Sequence, residues 1–239
     1  MFTTPRILMT GGTGLLGKEL LKINPNIEAP SREWLDLDQT GSVLESQLRI
    51  FHPFDMIIHA AAFTDLVGAE ENARHARSTN IGGTVRLLNY AERVGVRLVY
   101  ISTDYVFHDY PALKGRETTD PINPQSKYAM TKAAGELAVR TYPNSLCIRT
   151  SFCPRPFPHP VVVEQFTNKD YVDVIARLVY KYAISDLTGI AHVGTHEKFL
   201  PDLAEETSPG IERVPFESLP VYVPRDSVMK LTPLPGEHE

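Results

Sequence analysis

Short apolar runs alternate with segments of helical periodicity along the first part of the chain. Runs of strand length lie at Arg6–Thr10, Asp55–His59 and Leu98–Ile101. Between them, Leu15–Ile23 and Ile81–Val94 repeat apolar residues three or four positions apart, as amphipathic helices do. Continuous apolar strands separated by helices are typical of parallel strands that are buried on both faces. The pattern therefore predicts an α/β fold with a Rossmann-like, doubly wound parallel sheet.

The clearest helix boundaries in the sequence lie between Pro121 and Tyr142. Asn123 can cap the amino terminus, Pro124 suits the first helical position, and Pro143 prevents the helix from continuing. We therefore expect a helix that begins near Asn123 and ends before Pro143.

The regular alternation of elements weakens after Thr150. Prolines occupy every second position from Pro154 to Pro160, and this spacing favours an extended loop. One further helix is predicted near Lys169–Tyr182. We expect an NAD(P)-binding Rossmann domain over residues 1–150 and a small substrate-binding region over residues 151–239.

Composition narrows the class of protein. The 239 residues are 42% hydrophobic and 22% charged, as in globular domains, and the net charge of −5 argues against a nucleic-acid partner. No apolar run is long enough to cross a bilayer, and the amino terminus lacks the apolar segment of an export signal. We expect a cytoplasmic protein with no membrane partner. Cys147 and Cys153 fit no metal or redox spacing, so we expect no bound metal. A reducing cytosol favours two buried free thiols, with a disulfide between them as the alternative.

A glycine-rich segment joins the first predicted strand to the first predicted helix. In this context glycines let the backbone approach a pyrophosphate, and the helix amino terminus presents unpaired N–H groups to it. An ordinary strand-to-helix turn is the alternative, but the strand before it and the helix after it favour a dinucleotide. The predicted cofactor contacts here are Gly11, Gly14, Leu15, Leu16 and Gly17.

The residue after the second strand of such folds selects between the two nicotinamide cofactors. We expect that strand to end near Glu28. Ser31 and Arg32 then occupy the place at which a carboxylate would bind the ribose and favour NADH. A guanidinium at this place can pair with a 2′-phosphate. The sequence therefore favours NADPH, with NADH as the alternative.

Tyr128 and Lys132 lie four residues apart in the best-marked helix, so their side chains share one face. The ammonium is expected to lower the pKa of the phenol from about 10. The phenol could then protonate a carbonyl oxygen while a nicotinamide supplies hydride. The same spacing recurs at Tyr110 and Lys114, where Pro111 interrupts the segment, and we expect no catalytic role there.

A hydroxyl pair ends the third apolar strand. Ser102 and Thr103 follow directly after Leu98–Ile101. Ligands of open α/β sheets bind beyond the carboxyl ends of the strands, so both hydroxyls are expected to face the cleft. A polar strand end that satisfies only backbone groups is the alternative.

Four motifs carry a family resemblance: Thr10–Gly17, His59–Thr64, Ser102–Phe107 and Tyr128–Glu136. Together they resemble the extended short-chain dehydrogenase/reductases, and most closely the dTDP-4-dehydrorhamnose reductases. The S-T-D-Y-V-F string is quite specific, whereas the glycine motif identifies only the superfamily.

The resemblance implies a role for each matching residue. Tyr128 would be the acid, Lys132 would hold the cofactor ribose and lower the tyrosine pKa, and Thr103 would polarise the keto oxygen. The other cofactor contacts that it implies are Asp36, Leu37, Ala60, Ala61 and Ala62. The substrate contacts are Thr64, Tyr105 and Arg149, of which Tyr105 and Arg149 lie where the family makes substrate or structural contacts.

The implied activity is NAD(P)H-dependent reduction of the 4-keto group of a nucleotide-linked 6-deoxysugar. After Ser151, however, the family normally has a tryptophan and a longer segment that helps to hold the nucleotide-sugar, and this chain has Phe152 and the proline-rich loop instead. Two alternatives therefore stay open: a non-catalytic NAD(P)-binding regulatory subunit of the same fold, and a reductase or epimerase of another sugar nucleotide. The resemblance alone implies pairing into a homodimer.

Overall fold

The structure, a computed structural model, describes residues 5–108, 115–159 and 161–236 of the chain. The strands, in chain order, are β1 Ile7–Thr10, β2 Met56–His59, β3 Arg97–Thr103, β4 Ser145–Thr150, β5 Phe152–Cys153, β6 Val161–Val162, β7 Phe166–Thr167, β8 Asp170–Tyr171, β9 Gly189–His192, β10 Lys198–Phe199 and β11 Glu212–Arg213. The helices are α1 Leu15–Ile23, α2 Gly41–Phe51, α3 Leu66–Glu71, α4 Ala73–Arg77, α5 Thr84–Val94, α6 Lys127–Val139, α7 Val172–Ala183 and α8 Leu200–Glu205. A π-helical turn, Ser78–Gly83, leads into α5, and 3₁₀ turns occur at Asp104–Val106 and Phe216–Ser218.

The central sheet has the strand order β1–β2–β3–β4–β9, and its neighbouring strands are parallel. The predicted Rossmann-like α/β fold is therefore confirmed. The short strands β5 to β8, β10 and β11 form two-stranded pairs outside this sheet. Since β9 lies beyond residue 150, the region expected to serve the substrate also completes the central sheet.

Apolar residues cover both faces of the sheet. On one face, Leu16 and Leu20 of α1 share a buried cluster with Ile175 and Val179 of α7. The other face packs against α2, α5 and α6 through a cluster that includes Leu48. Burial on both faces explains why the strands are continuous apolar runs with no alternation of polar residues.

The best-marked helix begins later than the sequence predicted. Its first residue is Lys127, and the hydroxyl of Ser126 accepts the cap hydrogen bond from the Ala129 N–H at 3.2 Å. Asn123 is therefore not the cap. The Asn123 N–H donates to the Val106 carbonyl at 2.9 Å, and a residue that precedes a proline favours extended backbone. Together these hold Asn123 and Pro124 outside the helix.

The predicted second strand is reduced to a single parallel bridge between Leu8 and Glu28. The Met9 N–H donates to the Glu28 carbonyl at 2.7 Å, and the Glu28 N–H donates to the Ile7 carbonyl at 2.9 Å. Pro30 lacks an N–H and cannot continue such a ladder. The helix predicted near Lys169 starts at Val172, because Asp170–Tyr171 pairs with β5.

Cys147 and Cys153 are both buried free thiols, as expected. In the described ranges no helix has the length and apolar character needed to cross a membrane. Nor do His, Cys, Asp and Glu side chains gather there in a group of three that could hold a metal ion.

Candidate active site

An open cleft of about 850 Å³ lies along the carboxyl ends of β1, β2, β3 and β4. Its walls come from the glycine turn, the loop before α2, the loop after β2, the end of β3, one face of α6, and the segment after β4. Seventeen of the residues predicted from sequence line it: Gly11, Gly14, Leu15, Leu16, Gly17, Arg32, Asp36, Leu37, Ala60, Ala61, Ala62, Thr64, Ser102, Thr103, Tyr105, Tyr128 and Lys132. Ser31 and Arg149 do not line it, and Tyr110 and Lys114 lie outside the described residues.

Two glycines of the turn are required by the fold itself. Gly11 has a φ of +83°, and a Cβ on it would lie 2.5 Å from the Ala61 nitrogen. A Cβ on Gly17 would lie 2.2 Å from the Gly11 carbonyl oxygen. Because these neighbours are backbone atoms, no side-chain rotation could make room. The turn is therefore fixed against the loop after β2.

The amino terminus of α1 fits a phosphate group. Gly14 caps the helix and provides no side-chain hydrogen bond to the N–H groups of the first turn, which an α-helix leaves without intrahelical partners. A Cβ on Gly14 would meet only the Gly11 carbonyl oxygen, at 3.2 Å, so the cleft side of this residue is open. Open N–H groups and the positive end of the helix dipole are the features that bind a pyrophosphate.

Carboxylates surround Arg32 at the far end of the cleft. The Arg32 guanidinium lies 2.8 Å from the Asp38 carboxylate and 3.3 Å from that of Asp36. Thr79 also donates to Asp38, at 3.1 Å. A 2′-phosphate would have to compete with both carboxylates for Arg32. The neighbouring Ser31 uses its carbonyl to accept two backbone N–H groups of its own turn, and its side chain does not reach the cleft.

Tyr128 lies at the other end of the cleft, next to the end of β3. Burial raises the pKa of Tyr128 well above its ordinary value, the Asp104 carboxylate raises it further, and the Thr103 hydroxyl partly offsets both. The shift is opposite to the lowering expected from Lys132, because removing the phenolate from water dominates. Tyr128 is therefore a protonated phenol at neutral pH.

Lys132 is buried on the same face of α6. Its ammonium nitrogen lies 4.0 Å from the centroid of the Tyr100 ring. Burial lowers the pKa of Lys132 to about 7, although Glu136 and Cys147 oppose the shift. The side chain can therefore gain or lose a proton near neutral pH, which suits a group that passes protons to a neighbour.

Thr103 ends β3 with its hydroxyl already in a hydrogen-bond network. It donates to Asp104 at 3.2 Å and accepts the Tyr105 N–H at 3.2 Å. Asp104 is buried, and one of its carboxylate oxygens has no hydrogen-bond partner. Burial raises the pKa of Asp104, although the positive charge of Lys169 opposes the shift.

Arg149 does not take the substrate position that the resemblance implies. Its side chain is 1% exposed and forms an ion pair with Glu136 at 2.6 Å. Ser102 donates to the same carboxylate at 2.7 Å, and His192 contacts the guanidinium at 3.2 Å. Arg149 therefore joins β4 to α6 beneath the cleft, because a buried guanidinium needs a charged partner. Ser102 lines the cleft, as expected, and joins β3 to the same carboxylate.

Comparison with known proteins agrees with this geometry. Residues 5–181 match the family model described as RmlD substrate binding domain. The chain belongs to this family. The match includes the glycine turn, the end of β3 and the face of α6 that carries Tyr128.

Two relatives of this member of the RmlD substrate binding domain family are dTDP-4-dehydrorhamnose reductases. The dTDP-4-dehydrorhamnose reductase of Mycobacterium tuberculosis is 33% identical over 213 residues, which cover 84% of this chain and 64% of that protein. The dTDP-4-dehydrorhamnose reductase of Aggregatibacter actinomycetemcomitans is 34% identical over 179 residues, covering 72% of this chain and 60% of that protein. The chain thus spans less than two thirds of the length of these curated relatives.

A solved structure covers more of the fold. The dTDP-4-dehydrorhamnose reductase of Bacillus anthracis, crystallised in complex with NADP, has a TM-score of 0.84 and 25% identity to this chain. The superposition covers 97% of this chain and 91% of that one. This chain therefore has nearly all of the fold of the Bacillus anthracis protein.

Sequence reasoning did not single out two groups of cleft residues in this family member. Asp38 lines the end of the cleft at which Arg32 lies, and Lys169 and His159 line the opposite end. Lys169 and His159 come from the irregular part of the chain, where neither spacing nor periodicity marks a site. For Asp38 the available signal was its position two residues after Asp36, which the resemblance implies as a cofactor contact.

Proposed function

We propose that the protein is an NAD(P)H-dependent reductase of the 4-keto group of a nucleotide-linked 6-deoxysugar. The observation that carries this proposal is that Thr103, Tyr128 and Lys132 line the same cleft as the open amino terminus of α1. The names of the relatives support the substrate class, and the NADP bound to the Bacillus anthracis protein supports the cofactor.

The cofactor would lie along the cleft with its pyrophosphate at the turn Gly11–Gly17. Asp36 and Leu37 would flank the adenine, and Ala60–Ala62 would line the dinucleotide further along. Arg32 would contact a 2′-phosphate when NADPH is bound, since its side chain is 66% exposed at this end. The bound nicotinamide would supply the hydride that reduces the carbonyl carbon.

The chain's own residues would supply the proton. The phenol of Tyr128, kept protonated by its raised pKa, would donate to the keto oxygen. Thr103 would hold that oxygen by redirecting the hydroxyl that now donates to Asp104. Lys132, with a pKa of about 7, would hold the cofactor ribose and restore the proton on Tyr128. Thr64 and Tyr105 would contact the sugar.

The decisive test is oxidation of NADPH by purified protein in the presence of a dTDP-4-keto-6-deoxyhexose. The Tyr128→Phe variant should lose about 10²–10⁴-fold in kcat, because it removes the proton donor. It should still bind NADPH, which fluorescence of Trp34, the chain's single tryptophan, can report. Tyr90→Phe is the matched control, since Tyr90 is buried in the core away from the cleft. Turnover that is equal in both variants would refute the proposal.

Other outcomes identify the alternatives. Cofactor binding without turnover of any sugar nucleotide, together with co-purification of a second protein, would indicate a regulatory subunit. Turnover of only a different sugar nucleotide would correct the substrate. The homodimer stays a prediction, which light scattering of the purified protein can check.

A further inference from the structure

Lys169 places a cation at the substrate end of the cleft. It lies in the turn between β7 and β8, and its partly buried side chain lines the cleft together with Tyr105 and His159. The ammonium nitrogen is 5.6 Å from the centroid of the Tyr105 ring. Tyr105 is two residues from Thr103, so Lys169 lies close to the proposed reaction centre.

The turn that carries Lys169 is held in place on several sides. The Lys169 N–H donates to the Thr167 hydroxyl at 3.0 Å. The preceding residue, Asn168, donates to the Thr195 carbonyl at 2.8 Å and accepts the Met229 N–H at 2.5 Å. A side chain on so constrained a turn presents its head group at a defined place, which is what ligand recognition requires.

The ammonium of Lys169 keeps its charge. Burial lowers its pKa, but Tyr105, Asp104 and Cys153 raise it by more, and the net pKa stands above the ordinary lysine value. Asp104 is shared with Thr103 and is itself shifted towards its neutral form. Within the described ranges, Lys169 forms no ion pair with a carboxylate.

The other cations along the cleft are already engaged. Arg32 is paired with Asp36 and Asp38, at the adenosine end. Lys132 lies over the Tyr100 ring and belongs to the proposed proton pathway. Among the cations that line the cleft in the described ranges, Lys169 therefore lacks both an ion pair and a place in the proposed proton pathway, and it is free to bind an anionic ligand.

A further cation in the segment after β4, Arg155, is also occupied. The Arg155 guanidinium stacks over the Tyr171 ring, 3.8 Å from its centroid, and lies 3.5 Å from Asp173. Pro154, Pro158 and His159 complete this wall of the cleft, and burial together with Lys169 lowers the pKa of His159. His159 is therefore neutral at neutral pH and adds no positive charge.

We propose that Lys169 binds the diphosphate of the nucleotide-sugar substrate and so selects anionic substrates for this cleft. This inference rests on the proposed function for its substrate class. A lysine ammonium acts as a point charge towards phosphate. Such a charge can bind either of two linked phosphates without a fixed geometry.

The test uses dTDP, which carries the diphosphate but no carbonyl, and measures its binding by calorimetry in the presence of saturating NADP⁺. The Lys169→Met variant should bind dTDP about tenfold more weakly, equivalent to about 1.4 kcal/mol, and Lys169→Arg should retain most of the affinity. The Lys22→Met variant is the control for net charge, because Lys22 is 71% exposed and lies outside the cleft. NADP⁺ affinity should be equal in all variants.

Kinetics separate a binding role from a catalytic one. With a nucleotide-linked 4-ketosugar, Lys169→Met should raise KM about tenfold and change kcat by less than about threefold. Unchanged dTDP affinity, or a fall in kcat with a shifted pH profile at constant KM, would overturn the proposal. If no ketosugar is turned over while dTDP binding still depends on Lys169, the proposed activity fails and the diphosphate site stands.

Discussion

Replacing Gly17 with alanine tests whether the glycine turn is the cofactor site. The new Cβ would lie 2.2 Å from the Gly11 carbonyl oxygen and 2.7 Å from the Gly12 Cα. To restore ordinary contact, the Gly11 carbonyl must move by about 1.2 Å. The same turn is held against the Ala61 backbone, so it cannot retreat without distorting the loop after β2.

The expected cost follows from this geometry. Overpacking of this kind costs about 1–3 kcal/mol, and for a domain of this size each kcal/mol lowers the Tm by about 2–4 °C. A shift of about 1 Å also misaligns the N–H groups at the start of α1 with a pyrophosphate. We therefore expect Gly17→Ala to weaken NADPH binding by at least about tenfold, or about 1.4 kcal/mol.

The assay pairs thermal unfolding with a titration of NADPH followed by the fluorescence of Trp34. Gly41→Ala is the matched control, because Gly41 is the first residue of α2 and a Cβ there meets nothing within 4 Å. Alanine favours the helix over glycine, so this variant should be neutral or more stable by up to about 1 kcal/mol. It should bind NADPH as the parent protein does.

Two results would contradict the reasoning about Gly17. If Gly17→Ala matched Gly41→Ala in both Tm and NADPH affinity, the close packing of the turn would be wrong. If Gly17→Ala were less stable yet bound NADPH with full affinity well below its Tm, the turn would matter for folding and the cofactor would bind elsewhere.

Three further predictions concern buried and charged groups. Burial lowers the pKa of His59 to about 3 from an ordinary value of 6.5, so the unfolded chain binds one more proton in this interval and stability falls with falling pH. In urea denaturation between pH 6 and 4, the free energy of unfolding of the parent protein should fall with falling pH about 1.4 kcal/mol per pH unit more steeply than that of the His59→Gln variant. Parallel plots of the free energy of unfolding against pH would refute this. Glu136→Gln leaves the Arg149 charge without its partner and should lower the free energy of unfolding by about 3–5 kcal/mol. The double variant Glu136→Leu with Arg149→Met should recover most of that stability. Equal losses of stability in the two proteins would argue against the ion pair. Asp38→Asn removes one competitor for Arg32 and should shift the ratio of NADPH to NADH affinity at least about threefold towards NADPH. Arg32→Ala should shift the ratio in the opposite direction. A ratio unchanged in both variants would exclude Arg32 from cofactor selection.

Local signals were sufficient for much of the fold. The sequence predicted α1 with the bounds that the structure shows, because its apolar period and its glycine turn are both local features. Helix α5 ends at Val94, where Gly95 adopts a φ of +76°, a conformation that glycine enters without strain. The face shared by Tyr128 and Lys132 followed from helix geometry alone.

Contacts between distant segments decided what the sequence left open. Asn123 is an acceptable cap, but its bond to the Val106 carbonyl keeps it extended. Lys132 was expected to lower the pKa of Tyr128, yet burial by the surrounding elements raises it. The residues next to a backbone N–H do not show which distant group it will bond to, and the residues next to a tyrosine do not show how deeply its phenol will be buried.

The sequence by itself determined the Rossmann-like sheet, the glycine turn and the order of the candidate catalytic residues along the cleft. The tertiary structure alone decided that Arg149 belongs to a buried ion pair, that Arg32 is engaged by two carboxylates, and that Lys169 faces the cleft. The physical reason is that charge needs a partner or a solvent. Which of these a side chain finds depends on segments that meet only when the chain has folded.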